Sequence, residues 1–238
     1  MIKNISIAVL FLSVFCSCHE ASIEENQSVE IDINRVINNE FWGIVPNSIA
    51  HAESNTAHFT AALLWCHENG YHAVKISRDT YYVNGENPGT PSALRPTGII
   101  IPSNTELDLN GATFIHKPNL SPGYVVFAVY GVRNVKLYNG ILVGDKDTHP
   151  DRDDEWSTHE WGFGIDIRGA SDVVIDNLEI RGMTGDAVIV GGDDMYIENG
   201  GRISERVTVS NSRLHDCRRQ GVSVIGGNEI WIRDNGIY

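Results

Sequence analysis

The sequence has few basic residues, and this limits the partners that it can bind. Lysine and arginine together number 18 against 31 aspartates and glutamates, which gives a formal net charge of −13 over 238 residues. Such an excess of negative charge disfavours unassisted binding to nucleic acid or to an anionic membrane surface. We therefore expect no nucleic-acid partner, and an anionic substrate would need a local basic patch or a bridging cation.

Cysteine is also scarce. Of the four cysteines, Cys16 and Cys18 lie near the N-terminus, whereas Cys66 and Cys217 are far from each other in the chain. The spacing of the latter two gives no metal-binding signature. We expect two separate buried thiols and no disulfide.

The N-terminal apolar run is too short for a comfortable transmembrane helix. Lys3 precedes eleven apolar-dominated residues (5–15) and then Cys16-Ser17-Cys18, whereas a spanning helix needs about 20 residues. The pattern predicts a signal peptide. It resembles a bacterial lipoprotein signal, with Cys18 after the small Ser17 as the lipidated residue. The resemblance implies a lipoprotein-type signal over residues 1–18 and an outer-membrane or cell-surface lipoprotein, and periplasmic location or secretion is the alternative.

One short pattern recurs four times in the second half of the chain. Its copies run over residues 133–142, 171–180, 205–214 and 228–237. Apolar residues occupy the first, third and eighth places counted from Val135, Val173, Val207 and Ile230, and Asn or Asp occupies the fifth place. A second set of strands, each closing on glycine, precedes the copies at residues 127–131, 165–169, 187–191 and 222–226.

A short repeat of this kind predicts a solenoid, because one turn cannot bury its apolar side alone. The period is about 22 residues if residues 145–160 and 192–204 are inserted loops. Period-2 alternation makes the segments strands, and their stacking predicts parallel sheets. The fold class is therefore all-β, a parallel β-helix. Its interior should hold the four first-place residues in one stack, and its corner should hold the left-handed residues Asn139, Asn177, Asn211 and Asp234.

The ends of the chain suggest where this domain begins and stops. Phe59, Ala62, Leu63 and Cys66 follow helical spacing, and Gly70 is a natural stop. We expect a helix over about 56–69 that caps the β-helix domain (residues 51–238), with a tether and lead-in segment at 19–50 and regular turns from about 124. The last copy stops in mid-turn, so we expect a chain truncated at the C-terminus, a fragment of a longer product.

Outward side chains should form vertical columns on the stacked turns. We name one of them, past the Asn corner, the His215 column; it comprises Val143, Arg181, His215 and Tyr238. Its members should be about 4.8 Å apart per turn. Guanidinium, imidazole and phenol groups in a row suit a sugar chain, with Arg181 and Tyr238 binding and His215 catalytic. A solvated face with ordinary polar residues is the alternative.

The inserted loop at 145–160 holds seven carboxylates and two histidines. Long loops on rigid repeats often carry binding function. Asp145, Asp147 and Asp151 could supply oxygen ligands to Ca²⁺, which takes six to eight of them. A merely solvated acidic loop is the alternative.

The return of that loop carries candidate catalytic groups. His159 and Glu160 offer an acid and base pair, and Trp161 offers an aromatic platform. Asp186 should stack one turn later near Gly164, with Arg218 a further turn on. These residues could equally seal the base of the loop.

On these features the chain resembles the pectate-lyase-like superfamily of right-handed parallel β-helix proteins, which includes polysaccharide lyases, polygalacturonase-type hydrolases and epimerases. The resemblance covers residues 57–238, through the capping helix, the segment Leu-Asp-Leu-Asn-Gly-Ala-Thr at 107–113 and the Val-x-Ile-x-Asn copies. The polygalacturonase-type motifs match only in part at Thr184-Gly185-Asp186 and Asp193-Asp194, and Gly-His-Gly is absent.

The resemblance implies an exported carbohydrate-active protein that cleaves or remodels an acidic polysaccharide, by lyase or glycoside-hydrolase chemistry. Calcium is the one cofactor that we expect. The alternative is a non-catalytic glycan-binding or structural module on the cell surface.

Overall fold

The computed structural model describes residues 34–85, 98–150, 160–193 and 201–238. The predictions for the signal peptide, Cys18, Asp151 and His159 lie outside these ranges. Within them, no helix has the length and apolar character that crossing a bilayer requires. Cys66 and Cys217 are both free thiols; Cys66 is buried, as predicted, whereas Cys217 is only partly buried.

The N-terminal part contains the helices, and strands dominate the rest. Strand β1 (Asn34–Val36) precedes the short helix α1 (Asn39–Trp42), a 3₁₀ turn (Ile49–His51) and helix α2 (Ala52–Glu68). The strands that follow in the described ranges are β2 (Ala73–Lys75), β3 (Thr80–Val83), β4 (Ile99–Ile100), β5 (Thr105–Asp108), β6 (Thr113–His116), β7 (Gly123–Tyr130), β8 (Arg133–Val143), β9 (Trp161–Arg168), β10 (Ser171–Arg181), β11 (Val188–Gly191), β12 (Ser204–Ser210), β13 (Arg213–His215), β14 (Val222–Val224), β15 (Gly227–Arg233) and β16 (Gly236–Ile237).

The strands stack as parallel ladders on three faces. Face 1 follows the order β1-β2-β5-β8-β10-β12-β15. Face 2 joins β3 and β6 to the second halves of β8 and β10, and then to β13 and β16. Face 3 is a separate sheet in the order β4-β7-β9-β11-β14. This arrangement confirms the parallel β-helix.

The predicted interior stack is present. Val135 pairs with Val173, Val173 with Val207, and Val207 with Ile230. The three valines are at most 2% exposed. Pairs without an inserted loop, such as Val207 with Ile230, are separated by 23 residues, close to the predicted period of about 22.

The corner between faces 1 and 2 is built from left-handed residues. Asn139, Asn177, Asn211 and Asp234 have φ values of 62°, 49°, 51° and 57°. The Nδ2 of Asn177 donates to the Oδ1 of Asn139 at 2.7 Å, so the corner is also tied from turn to turn. Asn and Asp tolerate this conformation better than other residues with a side chain.

Helix α2 covers the first turns, as predicted for residues 56–69, and begins four residues earlier. The Phe59 ring lies 5.0 Å from the Tyr81 ring and 5.2 Å from the Phe114 ring, which seals the end of the core with aromatic contacts. Buried Asn55 donates to the carbonyls of Val45 and Tyr82. These bonds join the helix to the chain before it and to face 2.

The β-helix begins earlier than the sequence indicated. Strand β1 pairs in parallel with β2, so the first turn starts at Asn34, inside the segment that we expected to be a lead-in. Helix α1 is capped by Asn38 and ends at left-handed Gly43. A three-residue strand is too short to show a period, which is why the sequence placed residues 34–50 in a lead-in segment.

Asn177→Ala should lower the free energy of unfolding by about 2 kcal/mol, because alanine is strained at positive φ and cannot donate to Asn139. Asn177→Gly loses the same hydrogen bond without the strain, and should lower it by about half as much. Urea denaturation of both variants measures the difference. Equal losses would show that the left-handed backbone is not what Asn177 contributes.

Candidate functional site

The structure brings the His215 column together as predicted. Arg181 pairs with Val143 on one side and His215 on the other. The His215 ring stacks on the Tyr238 ring at 5.0 Å with an interplanar angle of 13°. Stacked turns therefore place an imidazole and a phenol against each other on face 2.

Charged neighbours hold this column in a network. Glu179 accepts from Arg181 Nε at 3.0 Å and from Arg213 Nη1 at 3.3 Å. Arg213 Nη2 also donates to the Tyr238 hydroxyl at 3.0 Å, and His215 Nδ1 lies 2.6 Å from Asp216 Oδ2. The polar groups of the column are thus already engaged with these neighbours.

The inserted loop begins with a buried carboxylate. Asp145 is 2% exposed, and its Oδ2 lies 2.7 Å from His149 Nδ1 and 3.9 Å from His116 Nδ1. Burial by itself would raise the pKa of Asp145, but the interactions with His116 and His149 hold that pKa well below the usual range. Its backbone N–H donates to the hydroxyl of buried Tyr124. Asp145 therefore anchors the start of the loop to earlier turns.

The predicted calcium ligands do not share one environment. The Asp147 side chain is 87% exposed and lies 3.8 Å from Lys146, unlike buried Asp145. Among the described residues, no three histidine, cysteine, aspartate or glutamate side chains are arranged to hold a metal. Asp151 lies outside those residues, so calcium binding by the loop stays a prediction.

Asp186 lies at the corner where the chain enters face 3. Gly164 N–H donates to its carbonyl at 3.3 Å, which confirms that it stacks beside Gly164. The side chain is fully buried, and its Oδ1 accepts from Gln220 N–H at 3.1 Å. Burial raises the pKa of Asp186, against the opposing effects of Ser223, Arg219, the Gln220 N–H and Arg168.

The arginine that faces Asp186 is Arg219, and the prediction of Arg218 for this place is not supported. Arg219 Nε lies 3.6 Å from Asp186 Oδ1. Arg218 is exposed, and its backbone N–H donates to the carbonyl of Met183. Neighbouring residues in an extended turn point in different directions, and the sequence does not indicate which one faces inward.

Arg219 also joins Asp186 to the end of the inserted loop. Its guanidinium lies 5.5 Å from the centre of the Trp161 ring, and its Nη1 donates to the Glu160 carbonyl at 3.5 Å. Trp161 is 48% exposed. Arg219 thus contacts the backbone carbonyl of Glu160 and the ring of Trp161, the predicted aromatic platform.

Gly185 allows the turn that contains Asp186 to pack closely against the turn that contains Trp161. Its N–H donates to the Gly162 carbonyl at 2.8 Å. A Cβ at this position would lie 2.5 Å from the Glu160 carbonyl oxygen, closer than any real contact allows. A glycine is therefore required directly before Asp186 if the corner is to lie against Trp161.

Sequence reasoning missed a second buried carboxylate on face 3. Asp166 is 1% exposed; its Oδ2 accepts from the Tyr130 hydroxyl at 3.0 Å, and its Oδ1 accepts from Arg168 Nε. It lies between inward Ile165 and Ile167, so it points outward from the sheet. An aspartate between two isoleucines of a predicted strand was the available signal.

Two groups of side chains lie on the outer surface of face 3, and we name them together the face-3 site: Trp161, Asp186 and Arg219 form one group, and Tyr130, Asp166 and Arg168 form the other. Apolar side chains border it on the same outer surface, where Val125, Ala128, Phe163 and Ile189 form a small buried cluster. Asp166 faces Arg168, and Asp186 faces Arg219. The charge of Arg168 also opposes the rise in the pKa of Asp186, so Arg168 influences both carboxyls. Such a site can hold an anionic group and can exchange protons with it.

Comparison with known proteins gives matches in sequence. A family model described as a right-handed β-helix region matches residues 163–238. The chain is 33% identical over 168 residues to the uncharacterized protein YclG of Bacillus subtilis strain 168, covering 69% of this chain and 29% of that protein. It is 31% identical over 201 residues to the SPbeta prophage-derived uncharacterized protein YorA of the same strain, covering 81% and 34%. The chain spans about a third of the length of these curated relatives.

Solved structures match in fold. An iota-carrageenase complexed to iota-carrageenan fragments has a TM-score of 0.61 at 14% identity, covering 85% of this chain and 41% of that chain. The A-module of the mannuronan C-5 epimerase AlgE4 of Azotobacter vinelandii has a TM-score of 0.56 at 16% identity, covering 82% and 49%. PfbA, a surface adhesin of Streptococcus pneumoniae, has a TM-score of 0.50 at 12% identity, covering 85% and 62%.

Asp186→Asn should stabilise the protein at neutral pH. Because the pKa of Asp186 is raised in the fold, the unfolded chain ionises first as the pH rises above about 4, and the wild type then loses stability relative to the variant. The advantage of the variant should therefore grow from pH 4 towards neutrality in thermal melts.

Asp172→Asn is the matched control, and its effect on stability should have the opposite sign. A hydrogen bond with Arg206 lowers the pKa of Asp172, so its ionised form stabilises the fold and that contribution fades as the pH falls. An Asp186→Asn advantage that does not change with pH would contradict the burial of an ionisable carboxyl there.

Proposed function

Because the chain is a right-handed parallel β-helix protein, as its resemblance to the pectate-lyase-like superfamily implied, we propose that it is an exported protein that cleaves or remodels an acidic polysaccharide. The reaction is assigned to the face-3 site. The His215 column, with Arg181 and Tyr238 as binding groups and His215 as a further proton-transfer group, is assigned to the flank of the substrate chain.

One observation carries this proposal: a guanidinium lies between an exposed indole ring and a buried carboxyl. Trp161 presents an aromatic surface on which a sugar ring can stack, and Arg219 presents donors to an acidic substituent. Asp186 lies 3.6 Å from Arg219 and is buried. The three groups thus supply stacking, charge recognition and proton transfer side by side.

The site is suited to two reactions of an acidic glycan. In hydrolysis, a protonated carboxyl donates to the leaving glycosidic oxygen and a second carboxylate acts on the other side of the sugar. The raised pKa of Asp186 suits the first role, and Asp166 suits the second. In β-elimination, arginine neutralises the uronate carboxylate while a base removes the neighbouring proton. Released reducing ends without ultraviolet absorbance would identify hydrolysis, and absorbance from an unsaturated uronate would identify elimination.

Similarity of fold to proteins named for polysaccharides supports the proposal. AlgE4 is named as a mannuronan epimerase, and the carrageenase structure is described with iota-carrageenan fragments. Arg219, whose side chain is 30% exposed, also offers a guanidinium to an anionic polymer on a chain of net charge −13.

A non-catalytic glycan-binding role on the cell surface is the second candidate. The observation in its favour is the similarity of fold to PfbA, which is described as a surface adhesin. This role predicts that glycan retention on affinity gels survives Asp186→Asn and that no new product appears.

Arg219→Ala should lower kcat/KM on an acidic polysaccharide by about 100-fold, because it removes the group that faces both Trp161 and Asp186. Arg218→Ala is the comparison, since it removes the same charge one residue away and should cost less than about tenfold. Product formation from pectin, alginate and glycosaminoglycans is the measurement. Equal losses of kcat/KM in the two variants would not support the choice of Arg219 over Arg218. A wild type that forms no product from any glycan would reject catalysis.

Cys18→Ala should abolish incorporation of labelled palmitate and release the protein from the membrane fraction, if the predicted lipoprotein signal is used. Cys16→Ala is the matched control and should leave labelling unchanged. A labelled band that survives Cys18→Ala would exclude Cys18 as the anchor.

A further inference from the structure

Arg219 is held loosely in the face-3 site. Its Nε lies 3.6 Å from the Asp186 carboxylate, whereas charge-assisted bonds between such groups are about 2.7–2.9 Å long. Its other described contacts, 3.5 Å to the Glu160 carbonyl and 5.5 Å to the centre of the Trp161 ring, are also long. The side chain is 30% exposed. An incoming anion can therefore reach the guanidinium and draw it away from Asp186.

Asp186 depends on its neighbours for charge compensation, because it is completely buried. Gln220 N–H bonds to its Oδ1, Ser223 also favours its ionised form, and the charges of Arg219 and Arg168 oppose its neutralisation. Arg168 already contacts Asp166 through its Nε. Among the described residues, the Cys217 thiol also interacts with Asp186; burial raises the pKa of this thiol to about 11, so it stays neutral. Arg219 is thus the compensating charge with the most freedom to move.

We propose that an acidic sugar bound at Arg219 causes Asp186 to take up a proton, so that binding of the substrate itself prepares the acid group. The proposal rests on the proposed function of the face-3 site. The bound carboxylate or sulfate engages the guanidinium and adds negative charge near the buried carboxylate. Ionised Asp186 then loses compensation that it cannot regain from water, and its neutral form becomes the favoured one.

The step balances simply. One proton from solvent is bound by an Asp186 oxygen, no bond in the sugar changes, and the net charge of the complex rises by one relative to binding without uptake. The proton is then available to the glycosidic oxygen of the bound sugar. A neutral sugar stacked on Trp161 would not disturb Arg219 and would leave the protonation of Asp186 unchanged. Arg219 would therefore determine specificity for acidic substrates through protonation as well as through binding.

Calorimetric titration of the wild type tests this directly. Oligogalacturonate, oligomannuronate and a hyaluronan hexasaccharide are titrated near pH 6 in two buffers, cacodylate and imidazole, whose ionisation enthalpies differ. Chromatography of the cell contents establishes that each oligosaccharide is intact at the end. We expect an oligouronate to bind with heats that differ between the buffers by an amount corresponding to uptake of up to one proton. A neutral galactan oligosaccharide of equal length should show no uptake.

Two variants identify the group that takes up the proton. Asp186→Asn should still bind the same oligouronate but without proton uptake, because no carboxyl remains there. Asp172→Asn is the matched control on a distant exposed carboxylate and should retain full uptake. If Asp186→Asn does not fold, carboxyl-carbon NMR shifts of aspartate in the wild type, recorded with and without the oligouronate, report the same protonation.

The outcomes separate the two proposals. Binding of an oligouronate with equal heats in both buffers would overturn the protonation step and leave the proposed function standing. Uptake that persists in Asp186→Asn would overturn the assignment to Asp186. Failure of every oligouronate to bind would overturn the proposed function, and the inference with it.

Discussion

Hydrogen bonding between equivalent residues of successive turns is the interaction on which the whole structure depends. It requires each turn to repeat the backbone path of the one before, and the path bends sharply between faces 1 and 2. A left-handed residue at that bend, such as Asn177, is what allows β10 to continue from one face to the next. When successive turns follow the same path, inward residues such as Val173 stack above their equivalents, and outward residues form columns.

The same stacking creates unusual environments for polar side chains. Asp145, Asp166 and Asp186 are all nearly or completely buried, although each lies outside the apolar core. Their compensation differs: Asp145 has histidines, whereas Asp166 and Asp186 have arginines. Histidine contacts lower the pKa of Asp145, while burial dominates at Asp186 and raises its pKa. The contrast separates a carboxylate that holds a loop in place from a carboxyl that can carry a proton.

The matches to known proteins describe the fold, whereas the side chains of the site determine the chemistry. Sequence similarity extends to proteins about two and a half times as long, and the structural matches are below 17% identity, so they define the fold. Chemistry has to be read from side chains on that fold. The chain segment from His215 to Gln220 leads from face 2 to face 3 and contains Arg219. It therefore connects the His215 column to the face-3 site.

The sequence by itself determined the parallel β-helix, the interior stack, the Asn corner and the His215 column, because alternation and left-handed residues are local properties that repeat. It also predicted that Asp186, from its place in the repeat, would stack beside Gly164, and it proposed Trp161, at the return of the inserted loop, as an aromatic platform. Only the tertiary structure decided that Arg219 faces Asp186, that Asp166 joins the site and that Asp145 is internal. Side-chain direction at a corner and burial on an outer face depend on neighbouring turns, which lie more than 20 residues away in the chain, and no local pattern encodes them.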